Sequence, residues 1–475
     1  MILTGLALGA ALGAVMQRGR FCVTGMLRDI FLQRSWRGFT ALLIVISVHA
    51  VGLAALTSAG IIAPEYSDLA PVAVVVGGVL FGLGIVLAGG CASGTWYRSA
   101  EGLVGSWIAL GAYALSAAAM KSGALRGLNE ALHAPTLPLR SLPQSLGVSP
   151  WWFALALGGL TAALARRYLA AEKPVATLRR QSWRRPLHLY AAAVIVGLLG
   201  VLAWPLSAAT GRNDGLGITT PSSNALRYLV TGDAECVDWG VMLVLGLFLG
   251  AFAAAKATGE FRVRVPDATT ACRAVLGGLA MGVGASLAGG CTVGNGMVQT
   301  SLFTYQGWLA LLFIALGVGL GTRLWLRPAA PRLAGQESVR PVRPVRPGEP
   351  GEPAAQARGE GAAAVPVLPA VPSVGGLISL GGAVPERCDQ PGGGVATLAP
   401  GRYHLDTFGA VCPFPLIEAK EAMRRLAPGE ELVIDFDCTQ ATDSIPRWAA
   451  EDGHEVVEFT ERGEAGWSIT VRKGA

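Results

Sequence analysis

Residues 76–94, VGGVLFGLGIVLAGGCASG, and residues 276–294, LGGLAMGVGASLAGGCTVG, align without a gap and agree at ten of nineteen positions. The agreements in the first copy fall at Gly77, Gly78, Gly82, Gly84, Leu87, Ala88, Gly89, Gly90, Cys91 and Gly94. Each copy is an apolar stretch of helical length that breaks at Gly-Gly-Cys: Gly89, Gly90 and Cys91 in the first, Gly289, Gly290 and Cys291 in the second. A fold for this chain must accommodate two interrupted segments in equivalent places.

Their surroundings are apolar. The chain is 52% hydrophobic and only 15% charged, with a mean hydropathy of +0.47, against about 25% charged residues in soluble domains. A hydrocarbon core of about 30 Å takes roughly 20 apolar helical residues. Nine segments approach that length: 2–17, 38–58, 71–90, 102–120, 151–169, 188–209, 239–256, 270–290 and 307–326. The first lacks the basic start and small-residue cleavage site of a signal peptide and runs directly into QRGRFC, so it reads as a retained span. A polytopic α-helical membrane bundle is expected over 1–327.

Lys and Arg in short loops mark the cytoplasmic side. The 166–187 loop carries Arg166, Arg167, Lys173, Arg179, Arg180, Arg184 and Arg185 against one acid, Glu172. Putting it inside also puts Arg18, Arg20, Arg28, Arg34, Arg37, Arg98, Arg262 and Arg264 inside, and leaves the acidic loops 59–70 and 210–238 outside. With nine spans, the N-terminus is outside and the C-terminus inside. The two Gly-Gly-Cys copies are then the third and eighth spans and run in opposite directions, an inverted repeat with broken helices.

Inverted repeats with Gly-interrupted spans point to a transport site near the midplane, because a break exposes backbone groups that only protein or a polar cavity can accommodate. Ser93 or Thr95, and Thr292 or Asn295, are expected to cap the helical piece after each break. The competing reading is packing: Gly-x-x-x-Gly spacings such as Gly78/Gly82 bring helices close, and a buried free Cys behaves as a small hydrophobe. Two thiols at equivalent positions favour function.

A third thiol, Cys22, stands in QRGRFCVTG near Arg18 and Arg20; its counterpart ATGEFRVR carries Arg262 in place of the thiol. Cationic neighbours stabilise thiolate and attract anions, although positive-inside arginines beside an incidental Cys would look the same. Thiols, glycine apertures and few fixed charges suit a small sulfur anion or a soft metal ion. A soft-metal site calls for clustered Cys, Met or His, and with no CxxC and no His pair neither a metal nor a cofactor is expected. His49, in an apolar run, is a functional candidate or helix–helix glue; His188 reads as interfacial. No acid pair lies in the spans to suggest a proton relay.

The RGRFC, LAGGCASG and LAGGCTVG segments, with the span pattern over 1–327, resemble the YeeE/YedE family of bacterial inner-membrane proteins, whose characterised branch takes up thiosulfate. The resemblance implies that Cys22, Cys91 and Cys291 line a pathway and relay the anion through transient S–H···S hydrogen bonds. Other sulfur or selenium compounds remain open as substrates.

After Arg327 the chain becomes rich in Pro, Gly, Arg and Glu, and 328–400 reads as a tether, with Cys388 incidental. Residues 401–475 form a second domain, expected as a β-α-β-α-β-β two-layer α/β sandwich with Leu416, Ile417, Met423 and Leu426 on the apolar face of its first helix. In VCPFPL, Cys412 precedes a helix expected to open at Pro413, where the helix dipole favours thiolate; an unreactive cap cysteine is the alternative. This segment, with DSIPRWAAEDGHEV, resembles the TusA-like sulfur carriers. The resemblance implies a persulfide on Cys412. Cys438 is either a second sulfur-handling thiol or a plain strand-end residue.

Of eight cysteines only Cys236 falls outside, so reduced thiols are expected, and Cys272 is expected to pack. The net charge of +6 follows the inside loops, and no nucleic-acid module is present. Together these readings suggest uptake of thiosulfate or a related sulfur anion across a bacterial inner membrane, with sulfur accepted at Cys412 and cytoplasmic sulfurtransferases or acceptors as partners. The rivals are a membrane sulfurtransferase or thiol redox enzyme working through persulfides, and a scaffold that positions the carrier.

Overall fold

The computed structural model describes residues 2–176, 178, 184–326, 395–410, 412–463 and 465–474. Cys388, Arg179 and Arg180, and nearly all of the stretch read as a tether, lie outside them. The first half forms α1 (Leu3–Arg18), α2 (Val23–Leu32), α3 (Arg37–Ser58), α4 (Pro71–Leu87), α5 (Ala92–Ala100), α6 (Val104–Ser122), α7 (Arg126–His133), α8 (Leu142–Leu146) and α9 (Pro150–Ala170). The second half forms α10 (Leu189–Ala208), α11 (Thr219–Thr231), α12 (Trp239–Thr258), α13 (Ala268–Leu287), a π-helical turn (Gly294–Gln299) and α14 (Tyr305–Trp325).

Helix limits follow local chemistry. Asp238 starts α12 by accepting from Val241 N at 2.8 Å, Asp267 starts α13 by accepting from Thr269 N at 3.1 Å, and Thr304 starts α14 by accepting from Gly307 N at 3.0 Å. α4 and α13 end where Gly89 and Gly289 turn left-handed, at φ +70° and +75°, a conformation a side chain resists. Cys91 is extended (ψ 177°) and α5 restarts behind it.

Glycines set the helix crossings. A Cβ on Gly77 would collide with Ala288 N and approach Gly284 O at 2.7 Å; on Gly277 it would collide with Ala88 N and approach Gly84 O at 2.8 Å. These reciprocal contacts, 200 residues apart in register, make α4 and α13 an antiparallel pair about a pseudo-two-fold axis. The relation extends outward, since Gly78 and Gly82 seat α4 on α14 as Gly278 and Gly282 seat α13 on α6. α1 and α12 pack in parallel through Gly9, Gly13, Gly246 and Gly250.

All nine apolar segments form helices, but among the described residues six helical stretches are long and apolar enough to cross a membrane: 37–58, 71–100, 189–208, 239–258, 268–287 and 305–325. A seventh is the bent pair α6–α7, which turns by 67°. α4 and α5 count together as one broken stretch, whereas α1, at 16 residues, extends about 24 Å, less than a bilayer core. The chain is a multi-pass membrane protein.

The C-terminal domain contains β1 (Val395–Ala399), β2 (Arg402–Asp406), α15 (Phe414–Arg425), β3 (Glu431–Phe436), α16 (Ala441–Glu451), β4 (Glu455–Glu461) and β5 (Trp467–Arg472). The expected β-α-β-α-β-β order is present from β2 onward. The sheet order is β1-β2-β3-β5-β4, with β2 and β3 parallel and the other pairs antiparallel. β1 precedes the expected elements and falls in the stretch read as tether; it returns on β2 through Pro400 and Gly401 (φ +75°), the Pro-Gly chemistry of a tight turn. Leu416, Met423 and Leu426 join the core with Leu432, Ile434 and Trp467. Ile417 instead joins the apolar cluster of the helical bundle, where Phe414 packs beside it.

Candidate functional site

The breaks hold two thiols in different settings. Cys91 is fully buried and its Sγ lies 3.5 Å from Ser93 Oγ; Cys291, also buried, accepts from Val293 N at 3.4 Å. Of the residues expected to cap the following helices, Asn295 serves the preceding one instead, and Arg98 does the same at the first break. Asn295 Nδ2 donates to Ala288 O at 2.7 Å and Gly290 O at 3.0 Å, and Arg98 donates to Gly89 O. The reason is that a helix end leaves carbonyls without partners, which amide and guanidinium donors satisfy. Thr95 Oγ1 bonds Ala92 O within its own turn, and Thr292 Oγ1 has no partner.

Cys22 closes a second contact. It is an extended residue between α1 and α2, and its thiol neighbours that of Cys91. Arg98 Nη2 reaches Cys22 Sγ at 3.7 Å. Gly94 faces both sulfurs: a Cβ there would stand 3.3 Å from Cys91 Sγ and 3.7 Å from Cys22 Sγ. Tyr113, buried and bonded to Thr219 Oγ1 at 2.9 Å, lies within electrostatic reach of both Cys91 and Cys291.

The carrier-like domain seats on the arginine-bearing end of the bundle. Gln440 Nε2 donates to Tyr97 Oη at 3.2 Å, Arg264 pairs with Asp437 at 3.4 Å, Arg447 pairs with Glu172 at 3.1 Å, and Arg20 donates to Thr442 Oγ1. This brings Cys412 to Arg28, whose Nη2 lies 3.8 Å from Cys412 Sγ and whose Nη1 lies 3.5 Å from Cys412 O. A cavity of about 790 Å³ is lined by Cys22, Arg28 and Cys412 among other residues.

Cys412 and Cys438 hydrogen-bond through sulfur. α15 begins at Phe414 with Pro413 as its cap, so Cys412 stands one residue further from the helix dipole than expected. The hydrogen bond with Cys438 and then burial push the Cys412 thiol well above the ordinary range, against the pull of Arg28 and Arg98. The same bond brings Cys438 down to about 6 despite burial, with help from Arg98, the Ala441 N–H and Arg264. The expected thiolate character thus resides first on Cys438, and the pair holds one proton between two sulfurs near neutrality.

Of the expected accessory arginines, Arg18 bonds Arg185 O and Arg20 pairs with Glu260 at 3.3 Å. The cations that touch thiols are Arg28 and Arg98, which loop charge alone did not separate from their neighbours. The sequence reading also passed over Gln17, whose amide donates to Glu101 at 3.3 Å and to Glu260 at 2.8 Å. Both acids are buried just beyond helix ends; burial and then Glu260 raise Glu101 to about 7. His49 is buried against Gly200, and His188 caps α10 by accepting from Tyr190 N. Cys236 donates to Asp233 at 3.7 Å, and Cys272 is exposed on α13, where packing was expected, because that helix turns its small glycine face to α4 and α6. Among the described residues no group of three or more His, Cys, Asp or Glu could hold a metal ion.

Comparison with known proteins accounts for both parts. The Sulphur transport family matches residues 18–320 and the Sulfurtransferase TusA family residues 403–473. Over 340 residues, 70% of this chain and 96% of the relative, the sequence is 49% identical to the thiosulfate transporter TsuA of Escherichia coli (strain K12). Over 331 residues, 67% of this chain and 97% of the relative, it is 33% identical to TsuA of Spirochaeta thermophila. The C-terminal part is 59% identical over 69 residues, 14% of this chain and 92% of the relative, to the putative sulfur carrier protein TsuB of Escherichia coli (strain K12).

Proposed function

The chain belongs to the Sulphur transport family, and from that premise we propose that it takes up thiosulfate across the bacterial inner membrane and hands it to its own C-terminal carrier domain. The observation that carries this reading is the approach of Cys412 to the thiol end of the bundle, where Arg28 and Arg98 act electrostatically on both Cys22 and Cys412. The inverted Gly-Gly-Cys repeat provides the route: Cys291 and Cys91 stand at its two breaks, with Gly89, Gly90, Gly289 and Gly290 as the apertures, and Cys22 follows. The arginine-bearing face that receives the carrier is the cytoplasmic one, and the N-terminus is periplasmic.

The chemistry at the exit is a displacement. Cys438 takes the proton of Cys412; the Cys412 thiolate attacks the sulfane sulfur of thiosulfate; the S–S bond breaks, and sulfite leaves with its electron pair. A persulfide anion remains on Cys412, so charge and atoms balance: one thiolate and one dianion become one persulfide anion and one sulfite dianion. Fusion in one chain keeps the acceptor at high effective concentration at the exit. Cytoplasmic sulfur acceptors would unload it.

The test uses the full chain in liposomes with thiosulfate labelled at the sulfane sulfur. Intact labelled thiosulfate should enter the lumen with the wild type and with Cys412→Ser, and fail to enter with Cys91→Ser; label should attach to protein only when Cys412 is present. The contact between Cys22 and Cys91 favours one rival, a persulfide relay in which nothing crosses intact. Label found covalently on Cys91 or Cys291 with none in the lumen would replace the transport reading with that one.

A further inference from the structure

Arg28 is a buried cation with no good partner. It is 5% exposed, yet its polar contacts are long: Cys412 O at 3.5 Å, Asp29 Oδ1 at 3.6 Å and Cys412 Sγ at 3.8 Å, with Nε bonded to nothing. Guanidinium has five donors, and normal N–H···O bonds run from about 2.7 to 3.2 Å. Neighbouring arginines on the same cavity are satisfied, Arg37 by Glu172 at 2.7 Å and Arg447 by Asp443 at 2.9 Å. A buried charge in this state is costly unless something pairs with it.

The surroundings say what that something is. The cavity is lined by Cys22 and Cys412 as well as Arg28. Arg98, also 5% exposed, stands behind Cys22 with a contact to its sulfur. Asp29 balances one guanidinium and the thiolate shared by Cys412 and Cys438 a second, but neither gives Arg28 a short oxygen acceptor. Oxygens of a small oxyanion suit the planar fork of Arg28, and the adjoining sulfurs are too weak as acceptors to replace them.

We infer that Arg28, backed by Arg98, forms a binding site for a tetrahedral sulfur oxyanion between Cys22 and Cys412. Its sulfonate oxygens are held by Arg28, which turns the sulfane sulfur toward Cys412. The identification of the anion as thiosulfate rests on the proposed transport function; the site itself is an oxyanion site in either case. Arg28 is therefore a binding residue that the positive-inside pattern concealed among ordinary loop cations.

The test measures charge selectivity at Cys412 in the full chain in detergent. Alkylation by iodoacetate and by iodoacetamide is followed on the Cys412 peptide by mass spectrometry and divided by the same ratio for free cysteine, so that the thiolate fraction cancels. The wild type should favour the anionic reagent by about tenfold, corresponding to one well-placed opposite charge. Arg28→Gln should bring the ratio to that of free cysteine, and Arg28→Lys should retain part of the preference. Millimolar sulfate, which cannot persulfidate Cys412, should slow both reagents more than chloride does, as should thiosulfate; protection by thiosulfate alone is accounted for by persulfide formation at Cys412 and would overturn the site. A wild-type ratio equal to that of free cysteine, an unchanged ratio in Arg28→Gln, or no protection by either oxyanion would each overturn the site. Should Arg28→Gln fail to fold, Arg28→Lys and the competition in the wild type still decide. Failure of thiosulfate to enter liposomes would sink the transport reading and leave the alkylation result standing.

Discussion

The Cys22 and Cys91 thiols face the same glycine, Gly94, where a Cβ would stand 3.7 Å and 3.3 Å from their sulfurs, so the turn after α1 meets the break between α4 and α5. Ser in place of Cys91 keeps a donor but shortens the reach and removes the polarizable sulfur. Thiosulfate entry into proteoliposomes should drop at least about tenfold in Cys91→Ser and in Cys22→Ser, the equivalent of ~1.4 kcal/mol in the barrier, with thermal unfolding unchanged. Uptake at the wild-type rate in both variants would remove these thiols from the pathway.

The pseudo-two-fold crossing of α4 and α13 can be tested through symmetry. Gly77→Ala and Gly277→Ala each drive a methyl into the other helix's backbone and should destabilise by similar amounts, about 1–3 kcal/mol. Gly111→Ala, on α6 with nothing near its Cβ, should be neutral or stabilising by up to about 1 kcal/mol. Thermal unfolding of the detergent-solubilised chain ranks the three.

Thiolate at Cys438 depends on its partner. Absorbance near 240 nm should show one thiolate appearing with a midpoint near pH 6, as Cys438 loses its proton while Cys412 donates to it. Cys412→Ala removes the donor and leaves burial unopposed by it, so the midpoint should move up. A midpoint unmoved by that substitution would show that the two sulfurs do not share a proton.

Glu101 works against the fold when charged. Its carboxyl is raised from 4.5 to about 7 by burial and by Glu260, so the folded chain holds a proton that the unfolded chain has released between those values. Stability should therefore fall as pH rises from about 4.5 to 7 and level off above, by about 3 kcal/mol in all. Glu101→Gln should flatten that slope and unfold at a higher temperature at pH 8; an identical pH profile in the variant would refute the assignment.

Several features were legible because they are local or repetitive. The Gly-Gly-Cys breaks and the helix that follows Cys412 are each written within a few residues. β1 was missed although APGR carries its turn signal, because the Pro-rich stretch before it has the composition of a tether. Asn295 was placed at the wrong end of its break because spacing alone does not say which helix's free groups a side chain faces. Arg28 and Arg98 were visible only as two of many loop cations, and the Glu101–Gln17–Glu260 cluster joins residues from three distant segments.

The amino-acid order alone determined that this chain is a helical membrane protein with a duplicated broken helix and a sulfur-carrier-like end, since periodicity, glycine conformation and motif spacing act over short distances. Which thiols are neighbours, which arginine is left with only long contacts, and which of Cys412 and Cys438 holds the proton were decided by the tertiary structure. Those properties depend on distances and burial between residues as far apart as Arg28 and Cys412, and no local pattern encodes them.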